Sequence, residues 1–111
     1  MLKFGERYEN DWFGNVYSIL LNDKEVGVVD YEENDDKLEL YVLSFECGYE
    51  QFNYFEEAVN ILKSMFPGKN IVGNTGIVSY CGRKEYWEAL GSKTRPDPDD
   101  DIYTIFELEN K

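Results

Sequence analysis

Lys37-Leu38-Glu39-Leu40-Tyr41-Val42-Leu43-Ser44-Phe45, then Glu46-Cys47-Gly48-Tyr49, then a helical pattern reaching Phe66: this stretch decides the fold. Its first part is the longest strand-like run in the chain. Leu38, Leu40 and Val42 alternate with Glu39, Tyr41 and Leu43, and both faces become apolar toward Phe45. Such a gradient predicts a strand whose far end is covered on both sides, as in the middle of a sheet. Beyond the break, Asn53 followed by Glu56 fits a capping box. Phe55, Ala58, Val59, Leu62, Met65 and Phe66 then recur at three- and four-residue steps, which makes one apolar stripe of a helix. Glu56, Glu57, Asn60, Lys63 and Ser64 take the other face, and Pro67-Gly68 ends the helix. Leu40, Val42, Phe55, Val59 and Leu62 are the expected core.

Working outward toward the N-terminus, Val16-Tyr17-Ser18-Ile19-Leu20-Leu21 and Val26-Gly27-Val28-Val29-Asp30-Tyr31 read as a hairpin around the turn Asn22-Asp23-Lys24-Glu25. A second turn, Glu32-Glu33-Asn34-Asp35-Asp36, leads into the Lys37 strand, so three strands form an antiparallel meander. Residues 1–15 mix charge with Phe4, Tyr8, Trp12 and Phe13, as a first edge strand or a packed arm. Toward the C-terminus, Lys69-Asn70-Ile71-Val72-Gly73-Asn74 is a short strand, parallel to the Lys37 strand because a helix separates them. Residues 75–81 are ambiguous. A second helix spans roughly 82–90 with Tyr86, Ala89 and Leu90 inward and Gly91 as its stop. Ser92 to Asp101, with Pro96 and Pro98, reads as an exposed loop before a final strand, Ile102 to Leu108. The fold class is α+β or α/β, one domain over residues 1–111. It has a mixed, mostly antiparallel sheet, two helices and the order β-β-β-α-β-α-β.

Charge and composition narrow the functions. Asp and Glu number 23 against 11 Lys and Arg, a formal net charge of −12 over 111 residues. Nucleic acid and acidic membrane surfaces are disfavoured, since binding either rests on basic residues. No apolar run is long enough to span a bilayer, and the first residues lack the apolar core of a secretory signal. Cys47 and Cys81 match no metal or redox spacing and read as reduced thiols of a cytoplasmic protein. The chain has no histidine, which excludes His-based triads, bases and metal ligands.

The element order, with Tyr86-Trp87-Glu88-Ala89-Leu90-Gly91 before the final strand, resembles the GNAT N-acetyltransferase superfamily over roughly residues 15–110. In that family the second helix commonly ends in an aromatic-Tyr-Glu-x-Leu-Gly pattern. The resemblance implies acyl-coenzyme A lying where the third strand parts from its parallel neighbour, with pyrophosphate on a Gln/Arg-x-x-Gly-x-Gly/Ala turn at the start of the long helix. The chain departs from this in three places. Cys47 to Phe55 has one glycine, Gly48, amid Tyr49, Phe52, Tyr54 and Phe55, and Glu46, Glu50 and Glu56 would repel phosphate. The position of the family's acid tyrosine, four residues before the glycine, is Trp87, which has no proton-donating hydroxyl. Residues 1–14 leave no room for the family's first strand and first two helices.

Two functions compete on this basis. The first is a non-catalytic GNAT-like domain that binds protein, as an inhibitor or immunity-type protein, with no catalytic, cofactor or metal residues. Glu32, Glu33, Asp35, Asp36, Asp97, Asp99, Asp100 and Asp101, with Trp12 and Tyr54, are its candidate contacts for a basic partner. Tyr8 is a further surface aromatic. The alternative is a divergent acetyl-CoA-dependent N-acetyltransferase, with Glu39 or Glu46 as base, Tyr80 or Tyr86 as acid and Cys81 as a nucleophile that no histidine activates. A lesser reading is a small-ligand pocket between helix and sheet. Sequence alone sets neither the partner nor the oligomeric state.

Overall fold

A computed structural model describes residues 1–76 and 81–110, with side chains at all of these except positions 76, 100 and 101. The chain runs β1 (Leu2–Asn10), β2 (Gly14–Leu21), β3 (Lys24–Glu33), β4 (Lys37–Phe45), α1 (Phe52–Met65), β5 (Asn70–Gly76), α2 (Lys84–Ala89), β6 (Lys93–Asp97) and β7 (Asp100–Leu108). The seven strands form one sheet in the order β1-β2-β3-β4-β5-β7-β6. Every neighbouring pair is antiparallel except β4 and β5, which are parallel as the intervening helix requires. The expected class therefore holds, with a strand added at each edge.

β1 is the edge strand that was one of the two readings of residues 1–15, although residues 1–14 were expected to leave no room for the implied first strand, and β6 corrects the reading of a loop. Residues 2–10 are β1, so the first strand does fit, and a turn at residues 11–13 stands where helices were expected to be missing. Residues 93–97 form β6 where an exposed loop was expected. β6 is an edge strand with one partner, β7, and an edge tolerates Pro96 because the missing N–H need not complete a second ladder. The turn between β2 and β3 is tighter than expected. Asn22 and Asp23 both adopt positive φ, 52° and 69°, which suits the right-handed twist of a two-residue hairpin.

Both helices pack on one face of the sheet. The main core joins Ile19, Val29, Leu38, Leu40, Leu43 and Ile71 to Phe55, Ala58, Val59 and Leu62 of α1 and Trp87 of α2. A bulge between Asp30 and Tyr31, against Leu40 and Val42, breaks the alternation of β4. Val42 is buried as expected, but on the opposite face, in a small second cluster with Val16 and Val28 beneath Tyr8 and Phe13. Leu43 takes the place in the main core that the alternation assigned to Val42. The capping box does not form. α1 begins at Phe52, its N-cap is Gln51, and no side chain caps it. Its C-terminus is closed from a distance: Asn110 Nδ2 donates to the carbonyls of Lys63 (3.1 Å) and Phe66 (2.9 Å).

At the end of the sheet where β4 and β5 begin, Asn70 Nδ2 donates to Glu107 Oε2 at 2.9 Å, and Lys37 Nζ lies 3.7 Å from Oε1. The Asn70 hydrogen bond, helped by Lys37 and opposed by burial, holds the Glu107 carboxyl below its ordinary value of 4.5. A depressed carboxylate contributes stability above its unfolded pKa and loses it as pH falls through the folded value. The stability advantage of the wild type over Glu107→Gln is therefore expected to vanish as pH drops below about 4.5. Urea unfolding at a series of pH values checks this, and a difference constant down to strongly acidic pH would contradict it. The side chain is half-exposed, so the effect stays within about 1 kcal/mol.

Candidate functional site

β4 and β5 pair at only three positions, Lys37 with Asn70, Leu38 with Ile71 and Glu39 with Val72. Beyond them the strands part, and β4 loses its ladder partner on that side. What fills the wedge comes from the segment before α2. Cys81 Sγ lies 3.4 Å from the Leu40 carbonyl, within hydrogen-bonding distance. The Cys81 carbonyl in turn accepts from Trp87 Nε1 at 2.7 Å, and the Gly82 carbonyl accepts from Thr75 Oγ1. Gly73 marks the last close approach of the strands. A Cβ there would meet the Leu40 carbonyl at 2.8 Å and Phe106 at 2.7 Å.

Trp87 anchors this plug. It is fully buried, stacks on Phe106 with centroids 3.8 Å apart and meets Phe55 edge-on at 5.0 Å. The sequence placed Tyr86, Ala89 and Leu90 inward. In fact Trp87 is the buried residue of α2, Tyr86 and Leu90 are half-buried, and Ala89 is exposed. With only six residues, α2 shows one buried side chain in place of a stripe. Phe55 and Tyr86 are 5.2 Å apart, Phe52 and Tyr86 5.3 Å. Together they wall the mouth of the wedge. A pocket of about 210 Å³ remains among Leu43, Phe45, Glu50, Phe55, Arg83 and Tyr86. That is smaller than the sites that enclose drug-sized ligands, roughly 300–1,000 Å³.

The junction between β4 and α1 turns its polar groups on itself. The Glu46 N–H donates to Val26 O (2.8 Å), the Tyr49 N–H to Glu46 O (2.9 Å) and Gln51 Nε2 to Gly48 O (2.9 Å). Tyr49 packs against Tyr54, and its hydroxyl receives Lys24 Nζ at 3.2 Å. Glu46 and Glu50 are exposed beside this turn. Two amides of this junction, those of Glu46 and Tyr49, are committed to carbonyls, and the nearby side-chain charge is negative.

The alternative's catalytic candidates are not brought together. Glu39 lies between Leu38 and Leu40, both of the helix-side core, so its side chain is on the opposite face. There it accepts from the Tyr41 hydroxyl at 2.7 Å, and Glu32 accepts from the same hydroxyl at 3.0 Å. These carboxylates, Glu39 first, push the Tyr41 phenol well above its usual range. Tyr86 Oη donates to the Glu50 carbonyl at 2.9 Å on the helix side. Tyr80 lies outside the described residues. Neither cysteine is in a disulfide, Cys47 being exposed and Cys81 buried, and the described residues hold no metal-binding cluster of Cys, Asp or Glu.

The candidate contact residues are also divided. Glu32, Glu33, Asp35 and Asp36 sit in or beside the turn that leads into β4, at the end where β4 and β5 begin. Asp97 ends β6 and Asp99 sits in the β6–β7 turn, beyond the Gly76 end of β5. The two acidic turns thus lie at opposite ends of the sheet and do not make one surface. The side chains of Asp100 and Asp101 lie outside the described ones, while their backbone belongs to β7. Glu33 is paired with Lys69 at 2.9 Å, and Asp97 Oδ1 accepts from the Asp99 N–H at 2.9 Å. Tyr54 and Tyr8 are half-buried. Trp12 is 86% exposed, at the tip of the β1–β2 hairpin.

Sequence reasoning missed the neighbours of that tip. It lies over the face opposite the helices, where Asn10, Trp12 and Phe13 face Glu25, Gly27, Val28, Ser44, Phe45 and Glu46. No local pattern signals this, because the hairpin reaches strands some 15–35 positions away.

No family model matches the chain, and neither does any curated protein. Among solved structures it is similar to the crystal structure of aminoglycoside 6′-acetyltransferase type Ii, at 19% identity and a TM-score of 0.63 over 86% of this chain and 68% of that one. The fold is GNAT-like. At this identity the likeness concerns architecture. In this chain the wedge where β4 parts from β5 is occupied by Cys81, Gly82 and the aromatic wall of Phe55 and Tyr86.

Proposed function

We propose that the protein is a non-catalytic domain on a GNAT-like scaffold that works by binding a basic protein, as an inhibitor or immunity-type factor of the cytoplasm. The observation that carries this reading is the occupied wedge between β4 and β5, where Trp87 is locked to Cys81 and Phe106. A tryptophan donating its N–H to a backbone carbonyl inside the core has no proton to offer a leaving group. The excess of carboxylates gives a field that draws a basic partner and repels coenzyme phosphates. The two cysteines, neither of them in a disulfide, support cytoplasmic residence. Among the described residues, no helix is long and apolar enough to cross a membrane.

The divergent acetyltransferase remains the second reading, favoured by one observation: the strands still part after three pairs. Thermal unfolding with and without excess acetyl-coenzyme A separates the two. A ligand at a hundred times its Kd stabilises by about 2.7 kcal/mol, several degrees for a domain of this size. No shift is expected. A clear concentration-dependent rise would overturn the non-catalytic reading.

A further inference from the structure

The cavity beneath the β1–β2 hairpin tip has a built frame. Asn10 Oδ1 accepts the N–H groups of Trp12 (2.8 Å) and Phe13 (3.2 Å), which fixes the tip. Asn10 Nδ2 donates to the Tyr8 hydroxyl at 3.0 Å, and that hydroxyl donates to Glu25 Oε2 at 3.1 Å. The space enclosed with Gly27, Val28, Ser44, Phe45 and Glu46 is about 360 Å³. Its lining therefore includes two aromatic residues, Trp12 and Phe13, and two carboxylates, Glu25 and Glu46, while the Phe45 ring turns to the helix-side core. Burial raises the Tyr8 phenol; Asn10 partly offsets this, while Glu25 and, more weakly, Glu46 add to it, so both carboxylates bear on one point. None of the ion pairs among the described residues involves Glu25 or Glu46.

Aromatic faces and carboxylates attract the same ligand, a cation on an apolar stem. The ring quadrupoles favour positive charge over their faces, the carboxylates supply charge-assisted acceptors, and the apolar walls accept methylenes. We propose that this cavity binds an alkylammonium group, presented as a lysine side chain of a basic protein segment. The assignment rests on the protein-binding function proposed above and gives that function its contact point. Trp12 and Glu46 are both exposed, so the ligand enters without unfolding the hairpin.

The test is a titration of the full chain, followed by NMR, with a short lysine-containing peptide, its Nε-acetylated form and butylammonium. The lysine peptide and butylammonium are expected to give saturable shifts at the Trp12 indole and the amides of Gly27, Val28 and Phe45. The acetylated peptide is expected to give none. Glu25→Gln/Glu46→Gln is expected to weaken binding by about tenfold. Glu56→Gln/Glu85→Gln, which removes the same charge from exposed positions on the helix side, is expected to leave it unchanged. Equal weakening by both double variants, or an absence of saturable shifts, would overturn the proposal. Tyr8→Phe, which keeps the ring and removes the Glu25 contact, serves should the Glu25/Glu46 variant fail to fold, and its unchanged affinity would count against the site. Peptide binding that maps elsewhere and survives the Glu25/Glu46 change would sink the pocket and spare the protein-binding function. Butylammonium saturating the site while the lysine peptide does not would overturn the lysine source.

Discussion

Replacing Trp87 with alanine is expected to lower folding stability by about 3–5 kcal/mol, the range for emptying a buried aromatic position. Three contributions set the size. The indole is fully buried against Phe106 and Phe55. Its stacked and edge-on contacts add to simple area burial. Its N–H donates to the Cys81 carbonyl inside the core, a hydrogen bond that alanine removes. Because domains of this kind are stable by only about 5–15 kcal/mol in total, Trp87→Ala leaves a marginal fold. Trp87→Phe separates the terms: the ring stays and the hydrogen bond goes, for an expected loss of about 1–3 kcal/mol. Trp87→Tyr places the residue type that the GNAT resemblance implies as acid, yet it enters a sealed core. It is expected to lose stability and to yield no acetyl transfer to an amine. Urea unfolding of the three variants, with an acetyl-coenzyme A turnover assay on the tyrosine form, checks each point. An unfolding midpoint for Trp87→Ala equal to that of the wild type would show that the indole is not the anchor it is taken to be.

The same residue shows how far the sequence was legible. The position of Trp87 four residues before Gly91 shows that the hydroxyl implied by the resemblance is absent, and the bulky run from Tyr49 to Phe55 shows that the implied glycine turn is absent. These are local facts. What occupies the vacated space is not local, because Cys81 reaches Leu40 across 41 positions. The fold divides in the same way. The β4 run and the α1 stripe are long and regular enough to read. The bulge opposite Leu40 and Val42 hides because Val42 and Leu43 are both apolar, so either side of the strand fits the pattern. β6 hides because proline and aspartate are turn residues, and only its place at an edge lets them join a strand. Asn53 and Glu56 match a capping box by spacing, but the helix starts one residue before Asn53, so the asparagine cannot be its cap. The opposite placement of the two acidic turns follows from strand direction and register, which no local pattern carries.

Phe55→Ala is expected to cost a comparable amount, about 3–5 kcal/mol, and to answer a different question. Phe55 is the side chain shared by every part of the closure. It packs on Trp87 and Tyr86, lines the small pocket and lies so close to Gly82 that a Cβ there would meet its ring at 2.7 Å. Gly82 also has φ +81°, a conformation that favours glycine, so the segment is shaped to pass this ring. Removing the ring joins its volume to the 210 Å³ pocket and reopens the mouth of the wedge. Were the side chain only a stopper, the variant would gain affinity for acetyl-coenzyme A. We expect no gain, because the junction before α1 carries the exposed carboxylates of Glu46 and Glu50, which repel phosphate, and has the Glu46 and Tyr49 amides bound to carbonyls. Urea unfolding gives the loss of stability, and thermal unfolding with acetyl-coenzyme A gives the binding. The milder Phe55→Leu serves where alanine leaves too little folded protein. A double-mutant cycle with Trp87→Ala is expected to show coupling of about 0.5–1.5 kcal/mol, as for edge-on aromatic pairs. Destabilisation without coenzyme binding would mean that two separate features, the filled wedge and the closed turn, each exclude the coenzyme. Coenzyme binding by Phe55→Ala would reduce the barrier to one ring and return the acetyltransferase reading to first place.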